Sequence, residues 1–110
     1  MELNVDTEVL ASGDLVITLI GSLDLASRGE LIAAATDVLK SAAGHKLSLD
    51  LAGLTFIDST GIGAIVETAG MAADNGCAFA LRDPSARVLR VLQLTGLAEL
   101  WPVESVTGDS

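Results

Sequence analysis

Leu3, Val5 and Thr7 alternate with polar neighbours, and Leu15, Ile17 and Leu19 do the same after the turn-forming triplet Ser12-Gly13-Asp14. A period of two is the spacing of a strand with one buried face, so an opening antiparallel hairpin is predicted. Gly21-Ser22-Leu23-Asp24 is expected to break its second strand. The period then changes to that of a helix. Leu31, Ile32, Ala35, Val38, Leu39 and Ala42 recur at three- and four-residue steps until Gly44, which predicts a first amphipathic helix. In Lys46 to Leu51 the alternation returns, with Leu47, Leu49 and Leu51 on one side and Ser48 and Asp50 on the other. This is a further strand.

Leu54, Phe56 and Ile57 lead into Asp58-Ser59-Thr60-Gly61-Ile62-Gly63. A second helix is expected beyond it, burying Ile62, Ile65, Val66, Ala69 and Ala73 and stopping at Asn75-Gly76. Cys77 to Leu81 suits a short buried strand, closed by the Asp83-Pro84 turn. Pro84 fits the first turn of a third helix that carries Val88, Leu89, Leu92 and Leu94 inward and ends at Gly96. Leu97, Leu100, Trp101 and Val103 are expected to cap the core. Strands separated by helical segments of this length call for parallel crossovers. The expected fold is therefore α/β, a mixed sheet of four to five strands with helices packed on it, forming one domain over residues 1–106 with a flexible tail at 107–110.

Half of the 110 residues are apolar, enough for a single core. The formal charge of -9, with only six Lys and Arg, argues against nucleic acid and against direct membrane binding, both of which rely on clustered cations. A protein partner with a basic patch fits better. Cys77 has no second cysteine to pair with, and with His45 as the sole histidine no cysteine/histidine metal cluster can form. No catalytic residue, metal or cofactor is expected. Lacking a basic segment followed by an apolar one at the N-terminus, or a long apolar run, the chain reads as cytoplasmic.

The segment Asp58-Ser59-Thr60-Gly61 concentrates the candidate chemistry. Hydroxyl residues opening a helix hold their oxygens beside unpaired backbone N–H groups, where a negative charge is tolerated. Asp58 or Ser59 also fits a plain N-cap. An aspartic protease is disfavoured because two hydroxyl residues, not one, separate Asp58 from Gly61. The surroundings of Ser59 do not read Gly-x-Ser-x-Gly, and His45 would be its only possible base. Gly61-Ile62-Gly63 lacks the Gly-Lys-Ser/Thr of a phosphate loop, and Val66 stands where a dinucleotide fingerprint needs its third glycine.

Phe56-Ile57-Asp58-Ser59-Thr60-Gly61-Ile62-Gly63 resembles the phosphorylation-site signature of STAS-domain anti-sigma factor antagonists. Gly21-Ser22-Leu23-Asp24 is similar to the family's early Gly-Glu-Leu-Asp, and Leu94-Thr95-Gly96-Leu97 to its late Thr/Ser-Gly-Leu. The three motifs occur in the family's order and cover most of the chain. The resemblance implies a STAS-like fold and a partner-switching cycle. In it, the unphosphorylated chain binds an anti-sigma factor with serine kinase activity and frees a sigma factor. The kinase phosphorylates Ser59, with Thr60 as an alternative acceptor, and a phosphoserine phosphatase reverses the step. Partner contacts would fall on Asp24, Asp58, Ser59, Thr60, Gly61 and Ile62. For Asp24 a second reading stays open, as a cap of the first helix. Trp101 is either an interface anchor or a lid on the core. The rival roles are a STAS subunit of a lipid or anion transport system, a stress-signalling scaffold subunit and, more remotely, a hydrolase using Ser59.

This chain departs from the family pattern at Ser22, where the family commonly has Glu. No Lys or Arg occurs from Ser59 to Leu81. Docking through that stretch would rest on apolar contacts or on cations supplied by the partner.

Overall fold

The computed structural model describes residues 2–40 and 45–105. Within them lie nine elements in the order β1 (Leu3–Val9), β2 (Leu15–Leu23), α1 (Arg28–Leu39), β3 (Lys46–Ile57), α2 (Ser59–Asp74), β4 (Ala78–Arg82), α3 (Ala86–Leu94), α4 (Leu97–Leu100) and β5 (Val103–Glu104). The strands form one sheet in sequential order. β1 and β2 are the expected antiparallel hairpin, and every later neighbour is parallel. A mixed sheet of five strands is thus the observed architecture.

One hydrophobic cluster joins Leu15, Ile17, Leu19, Leu47, Leu49, Leu51, Phe79 and Leu81 of the sheet to Leu31 and Ala35 of α1, Ile65 of α2, Val88 and Leu92 of α3, and Leu97 of α4. All four helices therefore cover the same face. On the other face the register aligns Thr18, Asp50, Arg82 and Glu104 across four strands. The alternation of the strands explains the division: Leu15, Ile17, Leu19, Leu47, Leu49 and Leu51 point to the helices, and Thr18, Ser48 and Asp50 to the other side.

Several expectations are corrected. β2 does not break at Gly21 but runs on to Leu23. Gly21 takes φ +116, and a side chain there would collide with the carbonyl oxygen of Glu2, just before β1. The pairing with β3 shifts at this point, so Gly21 kinks the strand as a bulge does and keeps it paired. β3 likewise continues past Gly53 to Ile57. Pro84 precedes α3 instead of entering it. Ser85 is the N-cap, its hydroxyl accepting from the N–H of Val88. Leu94 and Leu100 are 75% and 65% exposed and do not cap the core; Leu97 does, while Val103 lies at the sheet edge in β5.

Other expectations hold. α1 buries Leu31, Ala35, Val38 and Leu39, α3 stops at Gly96, and Cys77 is buried. Trp101 packs edge-on against Phe79, with ring centroids 5.1 Å apart and planes at 81°, which makes it a partial lid on the core. Ala42, Gly44 and the tail 107–110 lie outside the described residues.

Candidate functional site: the head of helix α2

Parallel strands deliver their following loops to one edge of the sheet, and here each such loop opens with an aspartate. Asp24 follows β2, Asp58 follows β3 and Asp83 follows β4. Leu23 and Ile57 are cross-strand partners, and the N–H of Asp58 donates to the carbonyl of Leu23 at 3.3 Å. Asp24 and Asp58 thereby start their turns side by side.

Asp58 is the N-cap of α2. Its extended backbone lets Oδ1 accept from the N–H of Gly61 at 2.9 Å and from the Thr60 hydroxyl at 2.7 Å. Its carbonyl accepts the first helical bond, from the N–H of Ile62 at 2.9 Å. The Thr60 hydroxyl first, and then the Gly61 N–H, hold the Asp58 carboxyl below the ordinary carboxylate pKa. Gly61 is required by a close approach. A Cβ there would run into the carbonyl oxygen of Leu23 and lie 2.9 Å from Ile57 Cγ1, so only glycine lets the helix start this near the end of β2.

The two hydroxyls are thus unequal. Thr60 is half-buried and its proton is committed to Asp58. Ser59, one residue earlier, is exposed, and its hydroxyl has no hydrogen-bond partner among the described residues. It stands at the positive end of a 16-residue helix.

The sequence pattern misjudged the faces of α2. The buried arc is Gly61, Ala64, Ile65, Thr68, Ala69 and Ala72, with Thr68 satisfied by donating to the carbonyl of Ala64 at 2.8 Å. Val66 and Ala73, expected inside, are exposed, and Ile62 is half-buried. At about 100° per residue, Ser59, Gly63, Val66 and Gly70 fall within a narrow arc pointing outward. A Cβ at Gly63 or Gly70 would meet nothing within 4 Å. Ser59 therefore heads a smooth, exposed, weakly apolar strip, flanked by Ile62. Neither Val66 nor the two glycines was foreseen as surface. The glycines were the signal available, since a helix keeps them at a cost of roughly 1 kcal/mol each relative to alanine.

Asp24 does not cap α1, whose N-cap is Ser27. Its Oδ1 accepts from the N–H groups of Ala26 and Ser27 and from the Ser27 hydroxyl, all at 3.1–3.2 Å. That hydroxyl also donates to the carbonyl of Ser22 at 2.8 Å. Asp24 thus fixes the turn that leads into α1 and presents Leu25, 71% exposed, at the same edge. No group of His, Cys, Asp and Glu among the described residues is placed to hold a metal ion.

The family model described as Mlab, STAS domain, matches residues 7–103. The chain belongs to the STAS domain family. It is 28% identical over 105 residues to the anti-sigma-B factor antagonist of Bacillus subtilis (strain 168), covering 96% of this chain and 94% of that one. Among solved structures it is similar to the putative anti-sigma factor antagonist of Thermotoga maritima, with TM-score 0.82 and 23% identity over 96% of this chain and 89% of that one. The Bacillus cell-fate determinant SpoIIAA in its phosphorylated form matches with TM-score 0.70 and 24% identity, over 96% and 94% of the two chains. These likenesses to solved structures carry the fold, the mixed sheet of a STAS domain. No helix among the described residues is long and apolar enough to cross a membrane.

Proposed function

We propose that this chain is an anti-sigma factor antagonist that acts as ligand and phosphorylation substrate, not as a catalyst. The observation that carries the reading is the contrast at the head of α2: an exposed Ser59 hydroxyl, without a hydrogen-bond partner among the described residues, beside a Thr60 hydroxyl already bound to Asp58. In the unphosphorylated state the strip Ser59-Gly63-Val66-Gly70, with Asp24, Asp58 and Ile62 around it, docks an anti-sigma factor, and a sigma factor is released. The same partner, as a serine kinase with ATP and magnesium, transfers a phosphoryl group to Ser59. The Ser59 oxygen forms the new bond to phosphorus, ADP leaves, and the hydroxyl proton passes to a base of the kinase.

The added group carries about -1.5 to -2 charges. At a helix N-terminus this charge is tolerated, and the fold survives. In a docked interface shaped for a neutral hydroxyl it costs on the order of several kcal/mol, and about 1.4 kcal/mol is already tenfold in affinity. A phosphoserine phosphatase resets the chain. Similarity to an anti-sigma-B factor antagonist and to SpoIIAA in its phosphorylated form supports the reading.

The test is incubation with a purified anti-sigma factor kinase and magnesium–ATP, read by intact mass. One phosphate is expected on the native chain and on Thr60→Ser, and none on Ser59→Ala. A phosphate that persists in Ser59→Ala and disappears in Thr60→Val would move the acceptor to Thr60. Hydrolysis of an acyl substrate without any kinase would replace the reading altogether.

A further inference from the structure

The molecule has a second surface whose chemistry is opposite to that of α2. Arg87, Arg90 and Leu94 of α3 lie within about 60° of one another around the helix, directly away from buried Val88 and Leu92. All three are exposed, Leu94 by 75%, and Leu100, 65% exposed, follows on α4. In a chain of net charge -9, the stretch from Pro84 to Ala98 contains no Asp or Glu at all.

Three of the other four cations pair within the fold, and the fourth, Arg82, lies half-buried on the opposite face of the sheet. Arg28 pairs with Glu67 at 2.8 Å, Lys46 with Glu104 at 3.1 Å, and Lys40 with Asp37 at 3.9 Å. Arg87 and Arg90 have no carboxylate partner among the described residues. Two guanidinium groups one turn apart match two carboxylates one turn apart on a partner helix, and arginine is the cation best suited to such paired contacts. Leu94, on the same arc of α3, supplies the apolar contact that makes a charged pair specific. A nucleic acid or an anionic lipid surface fits poorly, because two arginines do not offset the repulsion of the remaining charge.

We propose that the outward face of α3, Arg87-Arg90-Leu94, is a docking surface for an acidic amphipathic segment of a partner protein, separate from the head of α2. This surface does not depend on Ser59, so its fate and that of the proposed function are distinguishable.

The test is a titration of the isotope-labelled chain by NMR with a synthetic amphipathic peptide carrying Glu at i and i+3 beside Leu. Amide shifts are expected to concentrate in residues 86–101 and to weaken as salt rises. The double variant Arg87→Glu/Arg90→Glu should lose at least tenfold in affinity while its remaining spectrum stays native, Leu94→Ser should weaken binding, and Ser59→Asp should bind as the native chain does. No shifts at millimolar peptide, equal binding by the charge-reversed variant, or shifts centred on residues 58–66 would overturn the proposal. So would concentration-dependent shifts of the same residues without peptide, which would indicate a second copy as occupant, or tighter binding to phosphatidylserine vesicles or duplex DNA than to the peptide.

Discussion

Asp58 gathers two donors on one oxygen, and this single carboxylate sets the start of α2 and the inequality of its two hydroxyls. Its folded pKa is depressed, so the stability it contributes is fully present above the ordinary carboxylate value. That contribution is lost as pH falls through the lowered folded value. Comparison of acid unfolding curves should therefore show a shallower fall in stability below the ordinary carboxylate pKa for Asp58→Asn, which keeps an acceptor but no titrating charge. Identical slopes for the two proteins would remove Asp58 from the acid response. Gly61→Ala should cost about 1–3 kcal/mol in urea denaturation, because the new methyl group has the Leu23 carbonyl in its path. Ser59→Ala, by contrast, should stay within about 0.5 kcal/mol of the native chain, since the exposed hydroxyl has no partner to lose among the described residues.

Among the elements, α2 is where periodicity and packing part company. The apolar residues at 62, 65, 66, 69 and 73 suggested one buried stripe, yet small residues at 61, 64, 68 and 72 rotate the buried arc away from Val66 and Ala73. The small residues Gly61, Ala64, Thr68 and Ala72 let the helix sit close on the sheet beside buried Ile65, and Val66 and Ala73 lie outside that arc. The C-terminal elements rest on a different contact, Trp101 against Phe79. A double-mutant cycle with Phe79→Leu and Trp101→Leu should give a coupling of about 0.5–1.5 kcal/mol. Additive effects would reduce Trp101 to simple coverage. Strands β1 to β4, helices α1 to α3 and the cap at Asp58 were legible because alternation, helical spacing and turn residues coincide there. The continuation of β2 past Gly21 was not, since a kinked paired strand and a broken one have the same local composition. β5 is two residues long and leaves no periodic trace.

For the molecule as a whole, charge and topology act together. The parallel pairing of β2 with β3 brings Asp24 and Asp58 side by side, each opening a turn, and no Lys or Arg occurs from Ser59 to Leu81. Unpaired positive charge on the helical side is held on α3 instead. The motif at Asp58 and its neighbours could be read from sequence, whereas the exposure of Ser59 and the committed state of Thr60 required the fold, because a string of letters does not say which hydroxyl faces water. A new dianion at Ser59 is accommodated by the helix and felt mainly by whatever docks there. The most direct measurement is calorimetric binding of an anti-sigma factor kinase to the unphosphorylated and the Ser59-phosphorylated chain, with an amide NMR spectrum of each form. A loss of at least tenfold in affinity, with spectral changes confined to the head of α2 and the adjoining loops, is the predicted result; equal affinity of the two forms, or a phosphorylated chain whose core resonances have collapsed, would contradict it.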